Sequence, residues 1–198
     1  MQQQQVVAAA GDAVALRPRE RLIEAAYGMF SARGVRDVGI DEVIERAGVA
    51  KATLYNHFPS KDDLVLAFLE RREQRWALEW VETEARDRGT TPEDQLLAIF
   101  DLYDEWFHDA DFEGCSFVNV LLEMGPEHPA GRASVRYLRQ IRGFVRELAE
   151  EAGLRDPESF ARCWYILMKG SIVLASEGDQ DAALRAKTMA RSLIDQYR

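Results

Sequence analysis

Two cysteines, six prolines and three histidines are the whole supply of stapling, breaking and ligating residues in 198. Cys115 and Cys163 stand far apart with no CxxC pair, so both are expected to be buried thiols rather than a disulfide or a metal site. His57, His108 and His128 follow no metal-ligand spacing, even with Cys115 and Glu123 added. Glycine-rich phosphate loops, Gly-x-Ser-x-Gly elbows and His-Glu-x-x-His helices are missing. No catalytic residue, cofactor or metal is therefore assigned, and the chain is not expected to be an enzyme. No apolar run approaches the ~20 residues that a bilayer span needs. Residues 1–16 lack the basic start and long apolar core of a secretory signal and read as a disordered tail. The expectation is a cytoplasmic protein without a membrane partner.

The most informative shortage is local. The chain carries a net charge of -9, yet Val49 to Lys61 holds Lys51, His57 and Lys61 and no acid. Just before it, Ile40, Val43, Ile44 and Ala47 recur at spacings of three and four, which places them on one helix face. Gly48 can take the left-handed conformation that ends such a helix, with Val49 turning back into the angle. A second short helix over Lys51 to Phe58 sends Leu54 and Phe58 inward and leaves Lys51, Thr53, Tyr55, Asn56 and His57 outside. An exposed helix free of acids approaches phosphates and base edges without repulsion. The spacing predicts a helix-turn-helix whose second helix enters a major groove.

Over Leu22 to Leu64 the chain resembles the tetracycline-repressor (TetR) family of transcription regulators. The carried residues are Ala47-Gly48-Val49, Leu54-Tyr55-x-His57-Phe58 and Ser60-Lys61-x-x-Leu64. The chain departs from the family at Val38 and Gly39, where hydroxyl residues are usual. It also departs at Ala50, where a capping serine is common, and at Ala52, where glycine is common. The resemblance implies DNA contacts at Gly39, Lys51, Ala52, Thr53, Tyr55, Asn56, His57 and Lys61. It further implies a homodimer on a palindromic duplex operator and release by a small-molecule effector; a regulator without an effector is the alternative.

The remainder is an all-helical pattern, which gives an all-α chain of about nine helices. A head of residues 17–64 holds eight Lys+Arg and eight Asp+Glu, whereas residues 65–198 hold 17 against 25. An acidic body confines DNA to the neutral head. A first helix starts near Pro18, and Arg17, Arg19 and Arg21 at its start suit an external anion or plain solvation. Ser60 to Asp63 reads as a capping box opening a long helix to about Arg88. Arg132, Arg136, Arg139, Arg142 and Arg146 form one stripe on a later helix, read as a solvated face. Trp76, Trp80, Tyr103, Phe107, Phe117, Leu121, Met124, Phe144, Trp164 and Met168 are expected to surround one apolar cavity, with Asn119 as a polar anchor. The last two helices mix small and large residues, and Leu167, Ile172, Leu174, Met189, Leu193 and Ile194 are expected to face a second copy.

Overall fold

The computed structural model describes residues 16–110 and 112–198, without the side chains of 76–79. The tail expected over 1–16 thus lies outside the described residues up to 15, as does the side chain of Trp76. Among the described residues there are nine helices and no strand. They are α1 (Pro18–Arg33), α2 (Ile40–Ala47), α3 (Lys51–His57), α4 (61–88), α5 (Pro92–Phe107), α6 (Ser116–Met124), α7 (Pro129–Glu151), α8 (Pro157–Ser176) and α9 (Ala182–Tyr197). Their starts follow local chemistry. Proline opens α1, α5, α7 and α8, where its missing N–H is no loss. Ser60 and Asp63 exchange bonds as a capping box at α4, the Ser60 N–H donating to Asp63 at 3.0 Å.

In the head, α1 packs against α2, α3 and the first turns of α4. Phe68 of α4 is fully buried and meets Tyr27 and Phe30 of α1 edge-on, with ring centroids 5.7 and 5.6 Å apart. Leu22, Val38, Val43, Leu54 and Leu64 close the same core. Arg71 of α4 pairs with Glu20 and Glu24 of α1, and Arg72 donates to the Tyr27 hydroxyl at 2.7 Å.

In the body, α5 packs on α9, α7 and the end of α4, while α8 lies against α9 and α7. Tyr103, Phe107, Phe117, Phe144, Trp164 and Met168 are buried there. Their rings pack on neighbours, Trp164 on Phe100 and Phe160 at 5.2 Å each. Leu121 and Met124 are half-buried. Asn119 is not an interior anchor. With Phe117 and Val120 turned inward on α6, its helical phase leaves Asn119 exposed. Ile172 and Ile194 correct another expectation. They are 4% and 3% exposed and belong to the protomer's own core, because Met168, Ile172 and Ala175 share the inward face of α8. The outer faces of α8 and α9 carry Ile166, Val173, Leu174, Leu184 and Met189 instead, with Leu167 and Leu193 half-buried. The arginine stripe is exposed from Arg132 to Arg139, and Arg146 pairs with Glu150 on its own helix.

The helix α4 changes winding midway. Lys61–Arg72 and Thr83–Arg88 are α-helical, and Glu73–Glu82 between them is wound as a wider π-helix. At the start of that segment stands Glu73, four residues beyond Leu69 on the buried stripe and 6% exposed. Its Oε1 has no hydrogen-bond partner among the described residues. Burial, followed by the charge of Glu70, holds its carboxyl above the usual value. A raised folded-state pKa favours the protein at low pH, and that stabilisation is lost as pH rises through it. Glu73→Gln is therefore expected to raise the melting temperature at pH 8, with the gain closing toward pH 4. Melting curves across that range check it, and a constant difference would refute it.

Candidate nucleic-acid interface

The turn between α2 and α3 is built from one glycine and one arginine. Gly48 has φ +61°, the left-handed setting that ends α2, and the Val49 N–H bonds back to the Ile44 carbonyl at 3.3 Å. Arg21 of α1 donates to the Gly48 carbonyl at 3.2 Å and pins that turn to the head. Ala50 gives α3 no side-chain cap, as its methyl group dictates. What holds α3 is burial of Leu54 and Phe58, the latter beneath the Arg19 guanidinium 5.4 Å from the ring.

With those two residues inward, the expected contact set faces out. Lys51, Ala52, Asn56 and His57 are exposed, Tyr55 is 44% exposed, and Thr53 is half-buried. Gly39 is the N-cap of α2, where its N–H donates to Glu42 at 2.8 Å. Lys61 is half-buried in the first turn of α4. Arg17, Arg19 and His57 flank, with Glu20, a recess of about 350 Å³ between the start of α1 and the end of α3. Their convergence was visible in the sequence only as arginines before a helix. That setting suits a phosphate, because the α1 N-terminus adds partial positive charge.

Several bordering acids are occupied within the protein. Glu42 takes Arg33 at 2.7 Å and the Gly39 N–H, and these hold its carboxyl below the usual range. Asp62 meets His128 at 3.2 Å, and Asp63 meets Ser60. Asp41 is different. It pairs with Lys51 at 3.0 Å at a highly exposed position and raises the lysine's pKa through that bond.

A second concavity lies apart from the outer face of α3. A cleft of about 630 Å³ opens between α1, the middle of α4 and the end of α5, bordered by Tyr27, Arg72, Arg75, Trp80, Trp106 and Asp109. Of the residues expected around a cavity, Trp80 lies on it.

Comparison with known proteins places these features. The model of bacterial regulatory proteins of the tetR family matches residues 22–68. An uncharacterised HTH-type transcriptional regulator of Mycobacterium tuberculosis is 33% identical over 163 residues, 81% of this chain and 77% of that protein. The HTH-type transcriptional activator FasR of Mycolicibacterium smegmatis is 49% identical over 53 residues, 27% of this chain and 24% of that activator's length. Among solved structures, SCO4454, a TetR-family transcriptional regulator from Streptomyces coelicolor, matches with a TM-score of 0.82 at 28% identity. That match covers 91% of this chain and 95% of the other.

The Lys51–Asp41 pair yields a test of which way this face looks. Asp41→Asn removes an anion and frees Lys51, so binding to any duplex should strengthen about two- to fivefold at low salt. Lys51→Ala should cut the slope of log affinity against log salt by about one. Anisotropy titrations over a salt series check both, and unchanged slopes would place Lys51 off the phosphates.

Proposed function

The chain belongs to the TetR family of bacterial regulatory proteins, and we propose that it is a cytoplasmic, ligand-responsive repressor binding a palindromic operator as a homodimer. The acid-free outer face of α3 carries this reading. Lys51, Thr53, Tyr55 and Lys61, with Gly39 and Ala52 close to the backbone, position the protein on phosphates, and Asn56 and His57 sense base edges. A dimer filling two successive major grooves about 34 Å apart excludes other proteins from that duplex, which is all repression requires. The double variant Tyr55→Ala, Lys61→Ala should weaken binding to a selected operator and flatten its salt slope by about one. Wild-type binding by that variant at every salt concentration would end the assignment.

Support for the dimer comes from the uncovered faces of α8 and α9. Ile166, Val173 and Met189 are 69%, 56% and 60% exposed, and with Leu174 and Leu193 they form an apolar strip that water would cover in a monomer. Burying it against a twin gains about 25 cal/mol per Å² of apolar area. Met189→Glu is expected to give monomers in sedimentation and to lose operator binding, although it lies far from α3 in the chain. A dimeric Met189→Glu would count against this face.

The effector is read into the cleft bordered by Tyr27, Arg72, Trp80 and Trp106, whose volume falls in the range of small-molecule sites. It touches α1 of the head and α4 together, so a ligand bound there favours one head setting over another and shifts the population that binds DNA. Behind it the interior is filled: Tyr103 and Phe107 each pack on Trp106 of the cleft wall with ring centroids 5.6 Å apart, Trp164 packs on Phe100 and Phe160, and Phe117, Phe144 and Met168 are buried. That filled interior favours a second reading, a regulator that answers to a protein partner or to none. Tryptophan fluorescence during a screen of amphipathic compounds separates the two, since Trp80 and Trp106 border the cleft.

A further inference from the structure

The body holds the head at a point that the course of the chain does not require. Glu123, in the last turn of α6, accepts the Val35 N–H at 2.9 Å and the Arg36 N–H at 3.0 Å through one oxygen, Oε2. Those amides open the turn between α1 and α2, 88 and 87 residues away. Gly34 completes the seat. Its φ is +83°, and a Cβ there would stand 2.5 Å from Glu123 Oε1. Beyond the same corner, His128 accepts the Ala130 N–H through Nδ1 at 3.2 Å, which puts the ring proton on Nε2. Nε2 lies 3.2 Å from Asp62 in the first turn of α4. Between these two contacts the corner is tight, because a Cβ on Gly131 would fall 1.8 Å from the Gly125 carbonyl oxygen.

We propose that this corner is a second hold of the body on the DNA-binding head, beside the continuous helix α4, and that Glu123 is a positioning residue for DNA binding. The inference rests on the reading of α3 as the DNA-contacting helix. A carboxylate accepting two backbone N–H groups makes strong, directional bonds. The turn it grips is stiff in its own right. Arg33 donates to the Asp37 carbonyl at 2.6 Å and to Glu42 at 2.7 Å, joining the end of α1 to the first turn of α2. A displacement of Val35 and Arg36 therefore carries α2 and α3 with it. A shift of α6 in the body must either break the two bonds or move the turn, so the body acts on the head through α6 as well as through α4. The geometry asks nothing of Glu123 at the DNA itself, since it lies on a body helix.

The test uses the full-length protein and a duplex selected from random sequence with the wild type. Glu123→Ala is expected to lower affinity for that duplex about tenfold. Its salt slope should stay unchanged, because no phosphate contact is lost. Amide exchange should quicken at Val35 and Arg36 while the rest of the head keeps its protection. Glu123→Gln retains an acceptor oxygen and is expected to stay within about threefold of the wild type. Wild-type affinity and protection in Glu123→Ala would overturn the proposal. So would equal loss in both variants accompanied by faster exchange throughout the head, which marks general destabilisation. If the wild type selects no duplex, the DNA-binding reading fails, and exchange at Val35 and Arg36 still decides whether the hold exists.

Discussion

One helix must satisfy two cores. The first turns of α4 give Leu64, Val65, Phe68 and Leu69 to the head, and its last turns give Val81 and Ala85 to the body. Neither core can repack without regard to the other, because the backbone between them is a continuous hydrogen-bonded rod from Lys61 to Arg88. The place where that rod departs from regular winding is also where an acid occupies an apolar position. Wider winding turns the helix through a different angle per residue, so the inward set after Glu73 does not continue the inward set before it. The two cores are thereby served by faces that a uniform helix would not have aligned.

Charge is arranged on the same principle of local satisfaction. Glu42, Asp63 and Asp62 are held by Arg33, Ser60 and His128, and of the acids named beside α3 Asp41 alone engages the helix itself, through Lys51. Such pairs add little stability at the surface. Their effect here is on the field that an approaching polyanion meets, and the acidic body keeps the rest of the molecule unattractive to it.

How far the sequence could be read depended on how local each signal was. Helix starts at Pro18 and Ser60 were legible because each is written within four residues. The helix-turn-helix was legible for the same reason, with Leu54 and Phe58 inward and Tyr55 outward by spacing alone. The partition of α8 was not. A helix apolar nearly all round gives no direction, so spacing alone does not separate Ile172, which faces inward, from the more exposed Ile166. Asn119 was misplaced by one helical phase on a helix of nine residues. The burial of Glu73 and the bond from Glu123 to residues 35 and 36 leave no local trace, because the first opposes residue preference and the second spans half the chain.

That span has a consequence for how the protein is made. A chain leaves the ribosome from its N-terminus, and α1, α2, α3 and the start of α4 emerge first, with Leu22, Val43, Leu54, Leu64 and Phe68 able to pack on one another. The Val35 and Arg36 amides nevertheless wait on water until residue 123 has been added. For the interval of roughly 60 residues' synthesis, about 3 to 12 seconds at ordinary elongation rates, a nascent head is present without this brace. The bracing of the head by Glu123 thus waits for a body helix made well after the head itself.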